Sequence, residues 1–381
     1  MTPKIARYLA DNEVATPALV VDLDRVEANY RALKAAMPHA AVYYAVKANP
    51  APAILGRLAG LGSNFDAASI EEIEDCLAAG AAPAAISFGN TVKKVSAIRR
   101  AHAHGVPIFA FDSAEEVLKI AQHAPGAQVY CRITVDNAGA DWPLSRKFGC
   151  EIDSARAHML LAAELGLEPI GLSFHVGSQQ TGTAAYEAAI AKVALLFTDL
   201  KERGLKMRML NLGGGFPVRY REEVPAIDEF GRAIGAALAK AFGNAIPDTL
   251  VEPGRFLVAD AGVLAAEVVL VSRRNADDAV RWVYLDIGRF GGLAETEGEA
   301  IRYRISTPHD GQGAARPKTG PVVIAGPSCD GTDVMYDKAN YRLPEKLASG
   351  DRVLLHATGA YVTSYASQFF NGFRPPAEHY I

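Results

Sequence analysis

The run Tyr43-Tyr44-Ala45-Val46-Lys47-Ala48-Asn49-Pro50 is an apolar strand that ends in a lysine, and the backbone turns away at Asn49-Pro50. Burying that lysine would lower its pKa and make a neutral, nucleophilic amine accessible near neutral pH. The plainer reading is a strand-end lysine whose head reaches water. Other apolar runs also end in polar groups. They give Phe65-Asp66, Arg132-Ile133-Thr134, Phe174-His175-Val176-Gly177-Ser178-Gln179, Asn211-Leu212-Gly213-Gly214-Gly215-Phe216-Pro217 and Val251-Glu252-Pro253-Gly254-Arg255. Taken singly, each has an ordinary explanation: a hydrogen-bonded core histidine, a tight glycine turn, or a Glu252–Arg255 ion pair. Their recurrence at successive strand ends points to one site.

Consecutive glycines let backbone N–H groups approach an anion and form a nest for it. Gly213, Gly214 and Gly215 follow the seventh strand, a recurrent phosphate position in parallel barrels, and Arg255 could add a charge-assisted donor. A lysine, a phosphate loop and a carboxylate together suggest pyridoxal 5′-phosphate (PLP). Lys47 would condense with its aldehyde, and Glu252 would keep the pyridine nitrogen protonated. His175 could stack on the ring, and Ser178 could bond the phosphate. Asp66 and Arg132, at the ends of the second and fifth strands, are the remaining cofactor-side candidates.

Positioning these groups requires alternating strands and helices. Strand-like runs at 41–46, 62–65, 85–88, 107–111, 128–134, 170–175, 208–212 and 249–252 are separated by helical patterns. The strands read as continuous apolar stretches, as expected when both faces are buried. This predicts a (β/α)8 barrel, with a doubly wound open sheet as the structural alternative. After about Gly262 the rhythm changes to strands near 263–271, 280–286, 301–306, 321–325 and 352–357, linked by turns. The expected division is residues 24–261 as the barrel, and 1–23 with 262–381 as an all-β domain. The polar stretch from Asp136 to Gly149 reads either as a lid or as a surface excursion.

These stretches resemble the fold-type III PLP enzymes, the alanine racemase-like group, and within it the ornithine/diaminopimelate/arginine decarboxylase family. The resemblance runs from Tyr44-Ala45-Val46-Lys47 to Phe370-Asn371-Gly372-Phe373, nearly the whole chain. It implies a PLP barrel with a C-terminal β-domain, in a head-to-tail homodimer with active sites at the interface. It also implies that Cys329, in Gly326-Pro327-Ser328-Cys329-Asp330-Gly331-Thr332-Asp333, returns a proton to the substrate α-carbon. By the same resemblance Asp330 binds the distal ammonium of a diamino acid, Tyr361 reaches the cofactor phosphate, and Phe370 lies on the substrate side. Read from the residues alone, this stretch is an acid-bearing turn with a small apolar cysteine. Cys-Asp-Gly-Thr-Asp favours ornithine decarboxylase, with lysine as a possible second substrate. Diaminopimelate decarboxylase is an alternative for which Arg289 could serve the distal carboxylate. An amino-acid racemase and a non-catalytic PLP-binding homologue share the fold. Glu295 or Glu297 could stand in for a second amine-binding acid, or face solvent.

Composition excludes other classes. The 381 residues are 50% hydrophobic and 22% charged with net charge −4, giving no reason to expect nucleic acid or an anionic membrane as partner. Cys76, Cys131, Cys150 and Cys329 are scattered, which argues against a disulfide framework or zinc site and fits a reducing, cytoplasmic setting. A metal-dependent barrel hydrolase lacks a convincing ligand set, and no metal is expected.

Overall fold

The structure, a computed structural model, describes residues 1–142, 147–311 and 317–381. They form two compact units. One comprises Glu27–Pro217 and Val224–Leu257; the other comprises Met1–Val26, Val218–Glu223 and Val258–Ile381.

In the first unit eight strands close a barrel: Ala41–Ala45, Asn64–Ala67, Ile86–Phe88, Ile108–Phe111, Gln128–Arg132, Glu168–Ser173, Met209–Asn211 and Asp248–Val251. Every neighbouring pair is parallel, and the ring closes where Leu250 and Val251 pair with Ala41 and Val42. Alternate strand residues point inward. Ile108, Ala110, Tyr130, Ile170, Met209 and Leu250 form one buried cluster with Tyr43 packed against it. The interior is therefore filled, and the polar strand ends stand above a packed floor. Helices follow the strands, two of them started by serine caps. Ser69 accepts from the Glu72 N–H at 3.2 Å and Ser113 from the Glu116 N–H at 3.3 Å. Ser69 thereby fixes the helix turn that carries Glu72.

The second strand lies two residues later than the hydrophobic pattern suggests, at Asn64–Ala67, so Asp66 is inside it. Its parallel pairing with Tyr43–Ala45 sets that register. Of the stretch read as a lid, residues 143–146 lie outside the described residues. Ala140–Trp142 pairs antiparallel with Ser178–Gln180.

The second unit is built on a nine-stranded sheet. Ala18–Val21 pairs antiparallel with Gly262–Ser272 and parallel with Ala377–Tyr380. Gly262–Ser272 continues to Arg281–Leu285 and Arg352–His356. The strand expected over 301–306 shrinks to Ile305–Ser306. The reason lies in tyrosine hydroxyls that take the backbone bonds a ladder would use. The Tyr303 N–H donates to the Tyr336 hydroxyl at 3.0 Å, and the Tyr341 hydroxyl donates to the Tyr303 carbonyl at 2.6 Å. Among the described residues no helix is long and apolar enough to cross a membrane.

Candidate active site

The first barrel strand stops at Ala45, and Lys47 sits in a single 3-10 turn, Val46–Ala48. Asn49 builds that turn. Its N–H donates to the Val46 carbonyl at 3.0 Å, its Oδ1 accepts from the Ala51 N–H at 3.1 Å, and its carbonyl accepts from the Tyr44 hydroxyl at 2.9 Å. Lys47 is thereby carried out of the ladder and is exposed. Of the two readings of this lysine, the structure shows the one whose head reaches solvent.

Its charge instead reaches two carboxylates on the barrel. Asp66 is buried, and its Oδ1 has no hydrogen-bond partner among the described residues. Burial, then the charge of Glu252, pushes this carboxyl well above the usual carboxylate range, while Lys47 and Arg132 pull it back. Glu72 is raised by burial and accepts from the Ala68 N–H at 2.6 Å, with Lys47 again opposing the rise. Gly89 lies against Asp66: a Cβ at position 89 would overlap Oδ1.

His175 is pinned from below. Its Nδ1 accepts from the Gly177 N–H at 3.0 Å, so the neutral ring carries its proton on Nε2. Burial, reinforced by the charges of Arg132 and Lys47, pushes its pKa well below the usual imidazole value. Arg132 itself lies over the Phe148 ring at 5.3 Å.

The glycine turn joins the remaining groups. Gly213 and Gly215 adopt positive φ of 67° and 105°, conformations that favour glycine. A Cβ on Gly213, Gly214 or Gly215 would overlap the carbonyl oxygen of Phe174, Glu252 or Gly177 respectively. Close packing of the sixth, seventh and eighth strand ends therefore demands this glycine run. Asn211 locks it to Glu252: its Nδ2 donates to Glu252 Oε1, and its Oδ1 accepts from the Gly213 N–H at 2.8 Å. Of the three glycine N–H groups, only those of Gly214 and Gly215 have no hydrogen-bond partner among the described residues. Beside them the buried Arg255 guanidinium donates to Ser178 Oγ at 3.2 Å from Nε and 3.0 Å from Nη2.

The other candidates lie on the β unit. Cys329 is exposed, and its N–H donates to Asn371 Oδ1 at 2.9 Å. This joins it to the turn that bears Phe370, whose ring lies 4.6 Å from that of Phe290. Asp330 Oδ1 accepts from the Thr332 hydroxyl at 2.7 Å and N–H at 2.8 Å, which holds its carboxyl below the usual range. Buried Asp333 organises the segment. Its Oδ1 accepts from the Arg289 N–H at 2.8 Å, and its Oδ2 accepts from the Ser328 hydroxyl at 2.7 Å. Arg289 donates to the Thr332 carbonyl at 2.8 Å and pairs with Glu297 at 3.3 Å. Glu297 is largely exposed and Glu295 is buried. Tyr361 has a positive φ of 56°.

Residues 23–259 match the family described as pyridoxal-dependent decarboxylase, pyridoxal binding domain. The chain belongs to the pyridoxal-dependent decarboxylases. It is 38% identical over 375 residues to a lysine/ornithine decarboxylase of Selenomonas ruminantium, covering 98% of this chain and 91% of that one. It is 33% identical to antizyme inhibitor 2 of Xenopus laevis, covering 99% and 83%. A structure of the lysine/ornithine decarboxylase of Vibrio vulnificus with cadaverine superposes with TM-score 0.87 at 31% identity, covering 100% and 97%.

This decarboxylase is a carboxy-lyase whose cofactor is PLP, and the barrel end fits that group. Two unpartnered glycine N–H groups adjoin a hydroxyl and a guanidinium, which suits a phosphate. An orphaned carboxylate oxygen, a second carboxylate, a neutral imidazole and an exposed amine complete the set. Sequence reading missed Asn211, Glu72 and Gly89. Asn211 directly precedes Leu212-Gly213-Gly214-Gly215, and that adjacency was the available signal. For Gly89 no signal exists in the sequence, because its contact lies on another strand.

Proposed function

We propose that this decarboxylase converts L-ornithine to putrescine and CO2, and L-lysine to cadaverine more slowly. The observation that carries the reading is Asp330, held as an anion by two Thr332 donors beside exposed Cys329. A carboxylate so placed matches a distal ammonium. Arg289, which a distal carboxylate would need, is engaged by Glu297 and the Thr332 carbonyl; this disfavours diaminopimelate.

PLP, when bound, supplies the electron sink for the breaking carboxylate bond. Lys47 provides the amine that anchors the cofactor and later releases product. Glu252, oriented by Asn211, holds the ring nitrogen in its protonated form. His175 presents a neutral ring face. Gly214 and Gly215 donate to the phosphate together with Ser178, Arg255 and the Tyr361 hydroxyl; Gly213 shapes the turn. Asp66 and Arg132 border the cofactor. Cys329 returns the proton to the α-carbon, and Phe370 borders the substrate. The working form is a head-to-tail homodimer. The free thiols support a cytoplasmic setting.

The test is a panel of ornithine, lysine, arginine and diaminopimelate with product identification. Putrescine should form fastest, cadaverine more slowly. Lysine formed from diaminopimelate as the main product would overturn the substrate reading, and CO2 release from none of the four would overturn the activity.

A further inference from the structure

Cys131 and Cys150 lie nineteen positions apart in sequence, yet their Sγ atoms stand 3.5 Å from each other. Both are free thiols; Cys131 is buried and Cys150 is partly exposed. Their meeting is enforced by the backbone. The Cys150 N–H donates to the Arg132 carbonyl at 3.0 Å, and the Thr134 N–H donates to the Cys150 carbonyl at 3.0 Å. Asp112 Oδ2, at the end of the fourth barrel strand, accepts from the Gly149 N–H at 2.8 Å and from the Thr91 hydroxyl at 2.8 Å. Gly149 has a φ of +92°, and a Cβ there would press on the Ile133–Thr134 backbone. The segment returning to the fifth strand is therefore held in one register, with the two thiols facing.

We propose that Cys131 and Cys150 form a reversible thiol–disulfide pair that fastens the returning segment to the fifth barrel strand beside Arg132. Bond formation requires the sulfurs to close by only about 1.5 Å, within reach of side-chain rotation. The oxidant is a low-molecular-weight disulfide. The accessible Cys150 thiolate attacks one of its sulfurs, forming a mixed disulfide and expelling one thiol. Cys131 then attacks the Cys150 sulfur, its proton passing to the second departing thiol. Two protein thiols are oxidised and one small disulfide is reduced to two thiols, with no other reactant. Burial, then Cys150 and the charge of Asp112, pushes the Cys131 thiol up. Cys150, the more accessible of the two thiols, is the entry point.

The bond would close a loop of about twenty residues and restrain the unfolded chain. It would also fix Phe148 under the Arg132 guanidinium.

The experiment exposes the holoenzyme to glutathione disulfide, quenches it with acid, and maps peptides without reduction. The expected product is a peptide cross-linked between Cys131 and Cys150 that dithiothreitol separates. Cys131→Ser should stop at a glutathionyl adduct on Cys150, and Cys150→Ser should leave Cys131 unmodified. The oxidised wild type should melt several °C above the reduced form, a difference absent in Cys150→Ser. Failure to detect the cross-link in wild type at full Cys329 oxidation would overturn the proposal, as would a link from Cys150 to Cys329 instead. The wild-type map decides the matter even if a variant fails to fold.

Discussion

The barrel end and the edge of the β unit solve different problems. On the barrel the candidate groups are mostly buried or half-buried, and three are oriented by internal bonds: His175 by Gly177, Glu252 by Asn211, Arg255 by Ser178. On the β unit Cys329 is exposed, and Asp330 is held by a local turn. Fixed geometry suits a resident group that never leaves. An exposed thiol beside a carboxylate suits a molecule that arrives and departs each cycle. Damage on the barrel should therefore appear in cofactor binding and chemistry, and damage on the β unit in substrate choice with cofactor binding intact.

The sharpest break in that contrast comes from Lys47→Ala. Turnover should fall by about 10³-fold or more, read as CO2 release, with the absorbance band of anchored PLP lost and the melting temperature little changed. Next is Glu252→Gln, which keeps shape and removes charge. It should lower kcat on the order of 10²-fold while PLP content stays near wild type; equal losses in both would count against a role on the ring nitrogen. Asn211→Leu frees Glu252 and the Gly213 N–H together. A loss of roughly tenfold in both kcat and PLP affinity is expected, by activity assay and fluorescence titration.

Asp330→Ala tests the other region. The value of kcat/KM for ornithine should drop about tenfold or more, chiefly through KM, with PLP affinity unchanged. A fall in PLP affinity instead would dissolve the distinction between the two regions. The smallest effect is on pH-dependent stability. The folded state keeps His175 neutral, so below the ordinary imidazole pKa of about 6.5 only the unfolded chain takes up that proton. Stability from this group is present above that pH and is lost as pH falls. The apo form of His175→Gln should therefore lose less melting temperature than wild type between pH 7 and pH 5.5.

Much of this was legible in the residues. Continuous apolar runs marked the barrel strands because both faces of such strands are buried. The polar groups at their ends marked one site because a barrel gathers those ends. What escaped depended on bonds between distant residues. Asn49 accepts from Tyr44 and donates to Val46, and this places Lys47 in a 3-10 turn beyond the strand rather than at its last position. The glycine run was read as room for an anion; its Cβ positions face protein carbonyls, and one of its N–H groups belongs to Asn211. The strand near 301–306 was shortened by tyrosine hydroxyls from 336 and 341. The approach of Cys131 to Cys150 follows from the backbone bonds that Cys150 makes to Arg132 and Thr134, which spacing alone does not encode.

Gly89 has no functional group, yet Asp66 occupies the space any side chain there would need. A screen of random variants should find that position as intolerant as the reactive ones, with alanine already harmful. Anyone ranking positions by chemical type would discard it. Its intolerance would be a steric shadow cast by a carboxylate twenty-three positions away.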